Sequence, residues 1–412
     1  MSKATTTVRN VLLLLLIGQQ SVSARLLAKL DYSLAAETHT EQGRDNEIVS
    51  TLDLSLSENL KLAQSRLQYN FQTSAILDHA NSRDNLLLTG FLLAEQNLFT
   101  PSLTWDLGIT ARQSLNTAGG DNDEFDAQTL TTITTGPALR LTQGIRGSIE
   151  VEAKKRIAIY QDSPLDSDSN LFSAAYLYPF NPSLKLITKI EYESTDYKED
   201  SNKNQDNDIS RFSVGLQRQT DAVSYLFKAG IDQVNSESTD SQTLASLEAT
   251  IDYQLNSASR LTFQFIKSAE TDTNFNNDVV DDEDTILVAG LIESEKIQGS
   301  FDYRAALYQF NILGYLDNIE NISDDVTTAE TQTGLILNYG RKLTQIMDLE
   351  TYAKFRNNDL KQQETQDFDL TLVYKHSRKL VSRISIRREN DSVSGVDSND
   401  SILLYKMTVN LY

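Results

Sequence analysis

The chain has 412 residues, 37 Lys and Arg against 58 Asp and Glu, a formal net charge of -21 and no Cys. Its mean hydropathy of -0.37 leaves no room for a series of ~20-residue apolar helical spans, and the missing Cys excludes disulfides, a lipid-modified cysteine and thiolate metal clusters. With so acidic a balance, no nucleic-acid partner is expected.

Lys3 and Arg9 precede the apolar run 11–17, and Val22-Ser23-Ala24 places small residues at the -3 and -1 positions of a cleavage site. A basic start, a short apolar centre and a small-residue exit are the parts of a secretory signal peptide. The apolar run is about half of the ~20 residues that a membrane-spanning helix needs. Residues 1–24 are therefore expected to be a signal peptide, and residues 25–412 to form the exported protein.

Beyond that point almost no segment has apolar residues at helical spacing. The first strand is expected around Leu30, Tyr32, Leu34 and Ala36. Leu103, Trp105, Leu107, Ile109 and Ala111 then alternate with Thr104, Asp106, Gly108, Thr110 and Arg112. Ile145, Gly147, Ile149, Val151 and Ala153 alternate with Arg146, Ser148, Glu150, Glu152 and Lys154. The same pattern fills 184–192, 210–216, 223–231, 247–253, 331–339, 368–374, 380–386 and 403–411. A period of two gives each strand one apolar and one polar face.

Gaps between runs alternate in length. Short ones lie near 57–59, 96–101, 143–144, 179–183, 218–222, 254–258, 303–306, 340–345 and 375–379. Longer polar ones fall at 39–46, 73–83, 114–126, 157–169, 194–208, 234–242, 269–284, 317–330, 355–366 and 389–400. Nine short and ten long connections imply about 20 strands, within a range of 16–22, with both chain ends on the short-turn side. The apolar phase switches between Leu307 and Tyr308, where a bulge or an extra turn could sit.

A soluble sandwich would show the same alternation, and a hairpin repeat of about 39 residues resembles propeller spacing. Runs of ~9 to 12 residues are too long for ordinary soluble strands and fit tilted membrane-crossing ones. Recurring Gly and aromatic signatures of propeller blades are missing. The expected architecture is thus an all-β, transmembrane, antiparallel up-and-down barrel with short periplasmic turns and long acidic outer loops. In hydrocarbon an unpaired backbone group costs several kcal/mol, so the first strand must close on the last. Tyr412 supplies a terminal aromatic, one residue out of phase with Tyr405, Met407, Val409 and Leu411.

The signal, the hairpins, the Leu30-Asp31-Tyr32-Ser33-Leu34 strand, the segment from Ser300 through Phe301, Tyr303 and Arg304 to Tyr308, and the Tyr412 end resemble one family in layout. It is that of outer-membrane β-barrel proteins associated with exopolysaccharide and exosortase (PEP-CTERM) gene clusters. The resemblance covers the mature chain without a sharp motif. It implies a role in export or assembly of surface polysaccharide, and it carries over no catalytic residue.

Charges on the polar phase should line the lumen, since Lys or Arg facing lipid at midplane costs ~2 to 4 kcal/mol. On that phase stand Arg112, Arg146, Glu150, Lys154 and Lys189. Arg211, Lys228, Glu350, Arg383 and Arg387 follow in later strands. His39 and His79 lie in long loops with acids nearby, as charged loops generally have, and His376 sits in a short turn, so no catalytic or metal set is assigned and no cofactor is expected. Acidic clusters at 121–126, 162–168, 199–208 and 278–284 are either solvated loops or oxygen ligands for calcium, and none has EF-hand spacing. Expected partners are outer-membrane lipid, lipopolysaccharide, and surface polysaccharide with its export machinery. Two functions stay open: a porin-like conduit associated with polysaccharide export, and a non-conducting structural or docking barrel.

Overall fold

A computed structural model describes residues 27–39, 47–61, 65–78, 83–115, 127–142, 144, 147–160, 166–198, 206–236, 241–271, 291–321, 329–360, 362–393 and 396–410. The signal peptide expected over 1–24 lies outside these residues, as do the acidic stretches 121–126 and 278–284.

Among the described residues twenty strands follow one another: β1 (Leu27–His39), β2 (Glu47–Lys61), β3 (Ser65–Asp78), β4 (Arg83–Asn97), β5 (Leu103–Leu115), β6 (Ala127–Thr142), β7 (Ser148–Tyr160), β8 (Ser167–Asn181), β9 (Leu184–Tyr197) and β10 (Asn207–Gln219). The second half comprises β11 (Val223–Ser236), β12 (Gln242–Asn256), β13 (Ser259–Thr271), β14 (Leu291–Arg304), β15 (Tyr308–Asn321), β16 (Ala329–Lys342), β17 (Met347–Asn358), β18 (Gln363–Lys375), β19 (Leu380–Val393) and β20 (Val396–Asn410). Each pairs antiparallel with its successor. β1 pairs with β20 from Lys29↔Asn410 to His39↔Asp400, which closes the sheet. Pairing of β1 with β20 leaves neither terminal strand as a free edge, as the hydrocarbon layer demands.

Both phase and parity follow from the alternation. On β10, Phe212, Val214 and Leu216 stand exposed, while Ser213 and Gly215 between them are buried. The exposed phase elsewhere includes Ile190 at 53% and Ile386 at 61%. Large apolar side chains this exposed require a lipid solvent, so this phase is the outer face and the crowded polar phase lines the concave interior. Aromatic rings gather toward the short-turn end. Tyr178 meets Phe180 edge-on at 5.4 Å, and Tyr303 stacks on Tyr308 at 5.7 Å, as suits the membrane-water boundary.

The turn set at 57–59 is instead strand, because β2 continues to Lys61. The long connections set at 355–366 and 389–400 are mostly strand too: β17 reaches Asn358 before β18 starts at Gln363, and only two residues separate β19 from β20. The reason is physical. Beyond the lipid both faces meet water, so apolar alternation stops while backbone pairing continues. The phase switch at Leu307 is an ordinary turn of 305–307, closed by the Ala305 N–H donating to Tyr308 O at 2.8 Å, and β14–β15 pairing contains no bulge.

Two glycines make opposite predictions. On the inner face the Tyr315 ring lies over Gly334 of β16, and a Cβ there would overlap the ring. On the outer face a Cβ at Gly299 meets nothing within 4 Å. Glycine weakens a strand interior by roughly 0.5–1 kcal/mol relative to alanine, so Gly299→Ala should stabilise by about that much. Gly334→Ala should instead destabilise by about 1–3 kcal/mol through overpacking. Urea unfolding of the refolded barrel in vesicles reads both signs. Equal shifts would mean that the ring does not occupy the glycine's space.

Candidate functional site

The site is the inner wall, and each strand delivers its charges there by period two. Register and phase place Glu150 and Lys154 (β7), Lys189 (β9), Arg211 (β10), Lys228 (β11), Glu350 (β17), and Arg383 and Arg387 (β19) on the inner face. The Arg112 side chain lies outside the description. So does Arg146, which falls between β6 and β7.

Most of these cations meet a carboxylate. Lys154 Nζ lies 2.9 Å from Glu152 and 3.2 Å from Asp106. Lys189 meets Glu191 at 2.7 Å, Lys228 meets Glu248 at 2.7 Å, and Arg387 meets Glu389 at 2.7 Å. Arg156 and Glu193 form a further pair at 2.8 Å, a contact that reading strand by strand could not reveal. Lys228 stands directly opposite Glu248, and Arg211 opposite both Glu191 and Asp232. Arg383 differs: its Nη1 donates to Thr408 Oγ1 at 3.3 Å. Charges paired so locally make a polar, hydrogen-bonding wall with little field of one sign.

One point on this wall is dry. Asp232 is fully buried, and Ile209, Val234 and Ala269 form an apolar cluster beside it, with Leu244 packed on the cluster. Ile209, Val234 and Leu244 belong to the inner phase, where an open lumen would wet them. β12–β13 pairing stops at Leu247↔Lys267, although β12 runs on to Gln242 and β13 to Thr271. β13 stays paired with β14 up to Thr271↔Leu291. The outer end of the β13–β14 hairpin therefore leaves the wall and folds across the inner faces of β10–β12, its own outer phase packed on them.

Side chains hold it there. Arg211 Nε donates to Asp232 Oδ1 at 2.9 Å, Arg211 Nη2 donates to Ala269 O at 2.7 Å, and the Ala269 N–H donates to Asp232 Oδ2 at 3.0 Å. The ion pair thus replaces the lost ladder bonds of Ala269. Sequence did carry a signal for this: apolar Ile209, Val234 and Leu244 occupy the polar phase at the outer ends of three successive strands.

Among the described residues no group of three or more His, Asp or Glu stands at metal-binding distance. His376, in the turn after β18, bonds Ser382 Oγ at 2.8 Å and packs edge-on against Tyr374, which accounts for it structurally.

A closed sheet of twenty strands with a lipid-exposed apolar belt and a polar interior defines a transmembrane β-barrel, and the protein is an outer-membrane barrel. No protein-family model and no curated protein matches the chain. Among solved structures it is similar to the siderophore receptor PirA from Pseudomonas aeruginosa, at 9% identity and a TM-score of 0.50, covering 96% of this chain and 81% of that one. A variant of the ferric enterobactin receptor PfeA from the same organism matches at 8% identity and a TM-score of 0.51, covering 95% and 81%. The Pseudomonas aeruginosa protein OccK1 (OpdK) matches at 10% identity and a TM-score of 0.41, covering 93% and 98%. At such identities the likeness is one of fold.

Proposed function

We propose that the barrel is a porin-like conduit for a hydrophilic, weakly charged solute, and that this solute is surface polysaccharide on its way out. The observation that carries this is the inner wall, where most of the cations pair with carboxylates and leave hydrogen-bonding groups without deep apolar pockets. Sugar hydroxyls can exchange bonds along such a wall, while a lone ion meets no strong field. The protein needs no catalytic group for that work. The folded-in hairpin favours a second reading, a non-conducting docking barrel, since it narrows the outer mouth.

Planar-bilayer recording with the refolded full chain separates the two. A conduit should give steps of steady conductance with weak ion preference, and its gene deletion should lower surface polysaccharide while leaving cytoplasmic synthesis intact. No current and unchanged surface polysaccharide would select the docking barrel.

A further inference from the structure

We propose that the outer wall between β15 and β19 binds one phosphorylated, acylated glycolipid of the outer leaflet, with an acyl chain in a cleft over Ala353 and a phosphate at Arg388. The cleft has a volume of about 720 Å³. Thr351 and Ala353 of β17 form its floor, Phe310 and Tyr339 one side, Phe368 and Leu370 the other. These belong to two adjacent rows of the outer face: Ile312↔Leu337↔Ala353↔Phe368↔Arg388, and below it Phe310↔Tyr339↔Thr351↔Leu370↔Ile386. Two small side chains between large ones leave a trough, and the trough opens toward lipid.

Arg388 sets the occupant. It lies on the outer face opposite Phe368 and Ser401, and its Nε donates to Asn390 Oδ1 at 3.0 Å. No acid occupies the outer-face positions opposite it or next to it along β19, which are Phe368, Ser401, Ile386 and Asn390. Two outer-face cations near the outer loops differ: Lys155 and Lys198 both meet Asp168, at 2.9 and 3.0 Å.

The height also fits. Outer-face residues change from Ile384 and Ile386 to Asn390 along β19, and from Leu403 to Ser401 along β20, so Arg388 marks the upper edge of the apolar belt. β19 rises from the short turn 376–379, which makes that edge the outer leaflet. A planar guanidinium at headgroup level suits a phosphate. From there a chain would descend into the trough. Phosphorylated glycolipid is the lipid of that leaflet. The site depends on the barrel spanning the membrane and is independent of conduction.

Native mass spectrometry of the full chain in detergent, with diphosphorylated lipid A as the probe, tests it. One lipid A should bind per barrel. Arg388→Gln and Ala353→Phe should each weaken binding about tenfold, and Lys155→Gln should not. Should Ala353→Phe fail to fold, judged by heat-modifiable migration, Arg388→Gln decides alone. Unchanged binding by Arg388→Gln overturns the proposal, as does equally tight binding of dephosphorylated lipid A or of phosphatidylglycerol. Either failure leaves the conductance result where it stands.

Discussion

Arg211→Ala should free the β13–β14 hairpin and raise conductance several-fold, while lowering stability by about 3–5 kcal/mol, the cost of leaving one partner of a buried ion pair alone. Asp232 is the reason for the size of the effect. Its carboxylate is fully buried beside Ile209 and Val234, and Arg211 is the cation directly opposite it. Without the guanidinium a charge or a protonated acid remains in an apolar cluster. The double variant Arg211→Leu, Asp232→Leu behaves differently. Replacing a buried pair with apolar residues is often neutral or stabilising, so stability should recover, yet both side-chain bonds to the Ala269 backbone are gone. Conductance should stay high. A single Cys at Leu244, packed on the cluster in the parent, should become open to a water-soluble thiol reagent in both variants. This readout works even if the barrel carries no current. Protection of that Cys in both would show that apolar packing alone seats the hairpin.

Much of the fold was legible because one physical rule repeats: lipid outside and polar groups inside force period two on each crossing, and lipid forbids an edge. Phase, closure of β1 on β20, and the inner position of residues such as Lys189 and Lys228 follow from that rule. Strand ends did not. Beyond the belt nothing in the side chains distinguishes paired backbone from loop, so 355–366 and 389–400 read as loops although β17–β20 run well into them. The ion pairs were hidden for another reason. Lys228 finds Glu248 through the β11–β12 register, a relation between residues twenty apart. The inward hairpin was hardest, since β13 and β14 keep ordinary alternation and only their neighbours' apolar inner residues betray the contact.

The outer-face assignment itself predicts a large effect from one charge. On β10 the outer phase reads Ser210, Phe212, Val214, Leu216 and Arg218, so Val214 stands at the centre of the apolar belt. It lies opposite Thr188 of β9 and Ala229 of β11, neither of which offers a carboxylate. Val214→Arg should therefore destabilise the barrel in bilayers by about 2–4 kcal/mol, the cost of Arg at the midplane. Leu216→Arg should cost less, because a long cationic side chain there can reach the interface that the native Arg218 already marks. Gln217→Arg puts the same charge one residue away on the inner face, between Lys185 and Leu226. That change should stay within about 0.5 kcal/mol, as surface substitutions usually do. Urea unfolding in vesicles measures all three. If Gln217→Arg costs as much as Val214→Arg, the two faces of β10 are not solvated differently, and the barrel's inside and outside have been assigned on a false premise. If Leu216→Arg proves the costliest, the belt is centred lower on the strand, and the height assigned to Arg388 on β19 must move with it.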